Sequence, residues 1–133
     1  MDSPLIIQPT DNTPQVYFDL SQGRIELRGR CFPENPSKFY NPIIDWLKTN
    51  IKGDSIEARF EVYLEYYNTG TYIRLLEIFD LLSQKNDQGH QLEVHWYVEE
   101  MDEDSIDNAK SFKDVAKLPF KLRTLPTINF GGK

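Results

Sequence analysis

The side chain best placed to carry chemistry is the hydroxyl of Thr69, in the turn Asn68-Thr69-Gly70-Thr71. The turn leads into an apolar helical pattern, so Thr69 falls where a helix begins. At such a place a side-chain oxygen accepts from a free backbone N–H, which makes Asn68 or Thr69 the cap. The same place tolerates an anion, because free N–H groups and the positive end of the helix dipole meet there. A phosphate on Thr69 would change the local charge by roughly two units. Taken on these residues alone, capping accounts for the turn.

Other chemistry finds little support. Glu57, Glu61 and Glu65 recur on one face of an alternating stretch with Arg59, Tyr63 and Tyr67. Paired acids can share acid and base roles, but a mixed, tyrosine-rich face of this kind suits solvent or a protein surface better. His90 falls in a turn and His95 on an outer strand face, with no second ligand at metal spacing. Cys31 has no evident base beside it. The acidic run from Glu99 to Asp104 lacks the spacing of a calcium loop and reads as a solvated lead into a helix. There is no glycine-rich nucleotide loop. The expectation is a protein that is not an enzyme and needs no metal and no cofactor.

Composition narrows the partners. With 133 residues and a net charge of −6, the chain is sized for one core and lacks the basic surface that nucleic acid or an anionic membrane requires. No basic segment followed by an apolar core marks the start as a signal peptide. No apolar run approaches the ~20 residues of a membrane span. One cysteine cannot form an internal disulfide. A cytoplasmic location is the expectation, with no membrane insertion.

The elements that position the turn follow from periodicity. From Ile56 to Tyr67 the residues alternate: Ile56, Ala58, Phe60, Val62, Leu64 and Tyr66 on one face, Glu57, Arg59, Glu61, Tyr63, Glu65 and Tyr67 on the other. A strand covered by helices on both faces would be apolar throughout, so the helices should lie mainly on one side. After the turn, Tyr72, Leu75, Leu76, Ile78, Phe79 and Leu82 share one helical arc, and Arg74, Glu77, Asp80 and Gln84 the opposite one. Ile73 and Leu81 fall on that second arc, either under neighbouring loops or as a small partner-binding surface.

Elsewhere Val16, Phe18 and Leu20 alternate as one strand and Ile25 and Leu27 as the next, with Ser21-Gln22-Gly23 between them as a hairpin. Residues 37–52 form a helix that buries Tyr40, Ile43, Ile44, Leu47 and Ile51, with Trp46 as a packing residue. A strand is expected over 91–97, a helix over 105–117 and a short edge strand over 121–125. The domain spans 15–125, after an extended lead-in over 1–14 and before a flexible tail over 126–133. The fold class is α/β, a mixed sheet of four to five strands with three helices packed mainly on one face.

A strand ending in Tyr66-Tyr67-Asn68-Thr69-Gly70-Thr71 and running into Ile73-Arg74-Leu75-Leu76-Glu77-Ile78 resembles the phospho-acceptor region of the bacterial SiaC family of regulatory phosphoproteins, which are STAS-like in shape. Gly29 with Pro33-Glu34-Asn35, Ile44-Asp45-Trp46-Leu47 and Leu118-Pro119-Phe120 resemble further segments of that family in the same order. The resemblance implies that Thr69 is the acceptor, written by a serine/threonine kinase and erased by a PP2C-type phosphatase. Gly70 stands where the family often has another hydroxyl, which leaves Thr71 as a second candidate. The unphosphorylated form is implied to bind and activate a diguanylate cyclase, in a partner-switching pathway tied to cyclic di-GMP and biofilm control. Asn68, Gly70, Ile73, Arg74, Glu77 and Leu81 are the expected partner-binding residues. The alternative is a STAS-like domain that senses a small ligand or nucleotide at the same helix start.

Overall fold

β4, Glu57–Tyr67, is flanked by parallel neighbours on both sides: β3, Arg24–Cys31, and β5, Gln91–Glu99. The computed structural model describes residues 3–131; expectations for residues 1, 2, 132 and 133 lie outside the described residues. β1, Leu5–Ile7, and β2, Gln15–Asp19, extend the sheet antiparallel on the β3 side, and β6, Phe120–Leu125, extends it parallel on the β5 side. The order is β1-β2-β3-β4-β5-β6.

That order fixes where the helices go. α1, Pro36–Asn50, joins β3 to β4; α2, Thr69–Asp87, joins β4 to β5; α3, Glu103–Val115, joins β5 to β6. All three crossovers step the same way along the sheet, and parallel crossovers are right-handed almost without exception. All three helices therefore stack on one face, as the alternation in β4 predicts. Between the layers Phe79 of α2, Phe112 of α3, Trp96 of β5 and Phe120 of β6 form one aromatic cluster, with Phe79 and Phe112 ring centroids 5.6 Å apart. Trp46 packs on Phe18, as expected for a residue of the core margin.

The sequence predicts four or five strands, and the described residues form six. The additional one is β1, whose three residues pair with β2 inside what reads as a proline-rich lead-in. After β6, Ile128 N–H donates to Glu99 Oε2 (3.0 Å) and Arg28 Nη1 donates to the Asn129 carbonyl, which lays the last described residues across the outer face of the sheet.

The face without helices is held by its own side chains. Glu26 is buried between Arg24 (2.5 Å) and Arg28 (2.8 Å), Arg28 lies over the Tyr63 ring, and Tyr63 stacks on Tyr97 with centroids 4.3 Å apart. His95 is buried here too, bonded to Glu93 and receiving a 3.4 Å contact from Arg123. His90 accepts the Ile56 N–H at 3.0 Å, a structural role at the start of β4.

Candidate functional site

α2 begins at the residue the turn chemistry singles out. Asn68 is its N-cap, with Oδ1 accepting the Thr71 N–H at 2.9 Å, and Thr69 is the first helical residue. The Asn68 N–H is itself held by the Cys31 carbonyl at 3.2 Å, so the cap is anchored to the end of β3. Thr69 lies just beyond the carboxyl end of β4, where sites of open α/β sheets gather. Its side chain is exposed.

The two hydroxyls are not equivalent. Thr71 is fully buried; its Oγ1 donates to the Cys31 carbonyl at 3.0 Å and lies 3.3 Å from the Cys31 sulfur. Cys31 Sγ and Tyr40 Oη are 2.7 Å apart, which closes a buried trio beneath the first turn of α2. Burial pushes the Cys31 thiol up, against opposing hydrogen bonds from Thr71 and Tyr40, and burial also holds the Tyr40 hydroxyl well above its ordinary range. Of the two threonines only Thr69 is exposed.

Gly70 has a steric reason. A β-carbon there would lie 2.6 Å from Pro36 Cγ at the start of α1, closer than two carbons approach without displacement. The starts of α1 and α2 are thus in close contact at Gly70.

Beside Thr69 is a shallow cleft of about 380 Å³, lined by Tyr67, Asn68, Tyr72, Asn108 and Ser111. The lining carries no charged side chain. Tyr67 closes it from below, and burial, followed by the nearby Tyr72, pushes the Tyr67 hydroxyl up to about 12. A larger cavity of about 780 Å³ opens at the other end of the sheet, lined by the starts of β4 and β5. β4 spans eleven residues, which at ~3.3 Å per residue puts that cavity about 33 Å from Thr69.

The expected partner surface divides. Ile73 is 54% exposed and Glu77 is exposed on the same stripe. Arg74 is largely covered and reaches Asn41 of α1 and Glu77 (2.9 Å). Leu81 is a correction: it is 8% exposed and belongs to the core. Arg74, Ile78, Leu81 and Lys85 form one stripe, and both ends of it bond to α1, at Asn41 and at the Lys48 carbonyl. α1 therefore covers Leu81.

The model of the SiaC family of regulatory phosphoproteins matches residues 7–125. The chain belongs to the SiaC family. It is a regulatory protein and not an enzyme. A crystal structure of apo-SiaC from Pseudomonas aeruginosa superposes with a TM-score of 0.85 at 24% identity, covering 92% of this chain and all of that one. A second, the diguanylate cyclase SiaD of that organism in complex with its activator SiaC, matches through SiaC with a TM-score of 0.86 at 25% identity, over 91% of this chain and 99% of that one. An uncharacterized protein of P. aeruginosa strain UCBPP-PA14 is 26% identical over 121 residues, 91% of this chain and 96% of its own length. Among the described residues, no helix of this SiaC-family protein is long and apolar enough to cross a membrane.

Sequence reasoning missed two features of the site. Tyr66, assigned to the buried face of β4, is 56% exposed, while Tyr67, assigned outward, packs against Trp96 and Phe112. The pairing of β3 with β4 explains the exchange: Gly29 pairs with Leu64 but Arg30 with Tyr66, so Glu65 is an extra residue and the phase of β4 inverts after it. Gly29, with φ of +130°, supplies the backbone conformation for the bulge. A glycine inside the apolar alternation of β3 was the available signal. The burial of Thr71 had no such signal.

Proposed function

We propose that this protein is a phosphorylation switch that, unphosphorylated, binds and activates a diguanylate cyclase. A serine/threonine kinase transfers a phosphoryl group from ATP to Thr69 Oγ1 and releases ADP, with the hydroxyl proton leaving to solvent or a base of the kinase. A PP2C-type phosphatase hydrolyses that ester and restores the hydroxyl. The output is control of cyclic di-GMP, the signal behind biofilm formation, and the pathway is cytoplasmic. The observation that carries this reading is the exposed Thr69 side chain on the first turn of a capped helix, beside the buried Thr71 hydroxyl. Family membership and a relative that activates its cyclase in a complex give the reading its partner.

The physics of the switch is local. The Thr69 and Gly70 N–H groups precede any intrahelical partner and form the positive end of α2, so a phosphate there does not unfold the helix. The adjoining cleft offers Tyr72, Asn108 and Ser111 but no cation to neutralise it. Nearly two negative charges then stand at the surface between Asn68 and Ile73. A partner covering that surface would have to dehydrate them, which is costly unless it brings basic residues. Asn68, Gly70, Ile73, Arg74 and Glu77 contribute to this surface in the proposal, and Leu81 supports it from the core.

The test is a phosphosite map of the protein purified from its own host, with co-purifying proteins identified from the same sample. One phosphate on Thr69, an unmodified Thr71, and a diguanylate cyclase recovered with the unphosphorylated fraction are expected. Phosphate only elsewhere, or no cyclase recovered under any condition, would overturn the reading.

A further inference from the structure

Resting on that switch, we infer that the partner-binding surface continues past Thr69 onto the outer end of β3 and β4, where Phe32, Tyr66 and Arg30 receive a partner segment bearing an apolar side chain and a carboxylate.

The bulge at Glu65 has a cost in pairing and turns an aromatic ring out of the core. Tyr66 is 56% exposed, and its ring meets Phe32 edge to face with centroids 5.4 Å apart. Arg30 and Glu65 stand beside this pair, Arg30 Nε donating to Glu65 Oε1 at 3.2 Å, with both side chains about half exposed. These four residues line a cleft of about 400 Å³. The terminal nitrogens of Arg30 have no hydrogen-bond partner among the described residues. An aromatic pair of exposed Tyr66 and half-buried Phe32, bordered by an arginine with free donors, is the composition that interface centres favour.

Position ties this cleft to the switch. Among the described residues the exposed large hydrophobic side chains are Ile6, Tyr66, Ile73, Met101 and Val115. Tyr66 lies three residues before Thr69, and Ile73 lies four after it on the same helix face. The acceptor thus falls between two exposed apolar side chains along the chain, and in this inference the partner contacts both and passes over it.

Charge decides the occupant. Arg30 offers free N–H donors, and a carboxylate is the group that fits their planar, paired geometry. A partner carrying a carboxylate would be repelled by phosphate on Thr69, whereas one carrying lysine or arginine would be drawn to it. Release on phosphorylation therefore selects an acidic-apolar segment over a basic one.

The experiment uses the full-length protein and the diguanylate cyclase recovered with it from the host, measured by titration calorimetry. Tyr66→Ser and Arg30→Glu are both on exposed residues, and circular dichroism melting should match wild type for each. Each should weaken cyclase binding by at least tenfold, while Val115→Ala, at a side chain 50% exposed at the carboxyl end of α3 and so at the end of the sheet away from Thr69, should not change it. A cyclase variant in which one interfacial carboxylate is replaced by lysine should regain affinity for Arg30→Glu. Unchanged affinity for either Tyr66→Ser or Arg30→Glu, or no acidic position in the cyclase that rescues the charge reversal, overturns this inference and leaves the Thr69 switch standing. A cyclase that no variant binds, wild type included, overturns both.

Discussion

Thr71 Oγ1 donates a 3.0 Å hydrogen bond to the carbonyl oxygen of Cys31, joining the first turn of α2 to the last residue of β3. The same carbonyl accepts the Asn68 N–H at 3.2 Å, so one backbone oxygen holds both the cap and the buried threonine. This arrangement orients Thr69 outward and removes Thr71 from reach. Thr71→Val keeps the shape and loses the donor. Because the carbonyl retains its second partner, the expected loss is about 1 kcal/mol rather than the larger cost of an orphaned group. Urea denaturation measures it, and a phosphosite map of the variant should still show Thr69.

The Gly70–Pro36 contact gives a second expectation. Gly70→Ala places a β-carbon 2.6 Å from Pro36 Cγ, a ring atom with little freedom to move. Overpacking of this kind costs about 1–3 kcal/mol. The double variant with Pro36→Ala removes the clashing atom and should recover most of the loss. Additive destabilisation in the double-mutant cycle would show that the two residues do not meet as described.

Ile73 and Leu81 should separate cleanly. Ile73→Asp, on an exposed side chain, should change stability by no more than about 0.5 kcal/mol. Leu81→Asp buries a carboxylate under α1 and should cost several kcal/mol. Thermal melting of the two variants checks the division, and a near-native melting temperature for Leu81→Asp would contradict it.

The alkaline limb of stability has a named contributor. Burial holds the Tyr67 hydroxyl at about 12 in the folded protein, against about 10 in an unfolded chain. Its contribution is complete below pH 10 and is lost as pH rises from 10 toward 12, because the unfolded state releases its proton first. Tyr67→Phe should flatten part of that decline and leave the neutral range unaffected. Denaturation midpoints between pH 8 and 11 measure the slope, and an unchanged alkaline slope would remove Tyr67 from this role.

What was legible in the sequence was local. The period of two in β4 holds through Leu64, and with it the single-sided placement of the helices. The Asn68-Thr69 helix start is written in four adjacent residues, and it stands where turn chemistry places it. What was not legible depends on partners distant in sequence. The inversion of Tyr66 and Tyr67 comes from how Gly29 and Arg30 pair across to β4. The cover over Leu81 comes from α1, anchored at Asn41 and Lys48. β1 has three residues and acquires its identity only by pairing with Val16 to Phe18. In each case a contact between elements overrides a pattern within one.

On the proposed switch, phosphate on Thr69 releases the partner while the domain stays folded. The most direct measurement is titration calorimetry of the host diguanylate cyclase against unphosphorylated protein, the stoichiometrically Thr69-phosphorylated protein, Thr69→Ala and Thr69→Asp, with circular dichroism on each. Thr69→Ala should keep wild-type affinity, and Thr69→Asp, whose carboxylate carries one charge, should show an intermediate loss. The phosphorylated protein should lose at least tenfold, about 1.4 kcal/mol, with unchanged spectra and melting. Equal affinity across all four forms would contradict it.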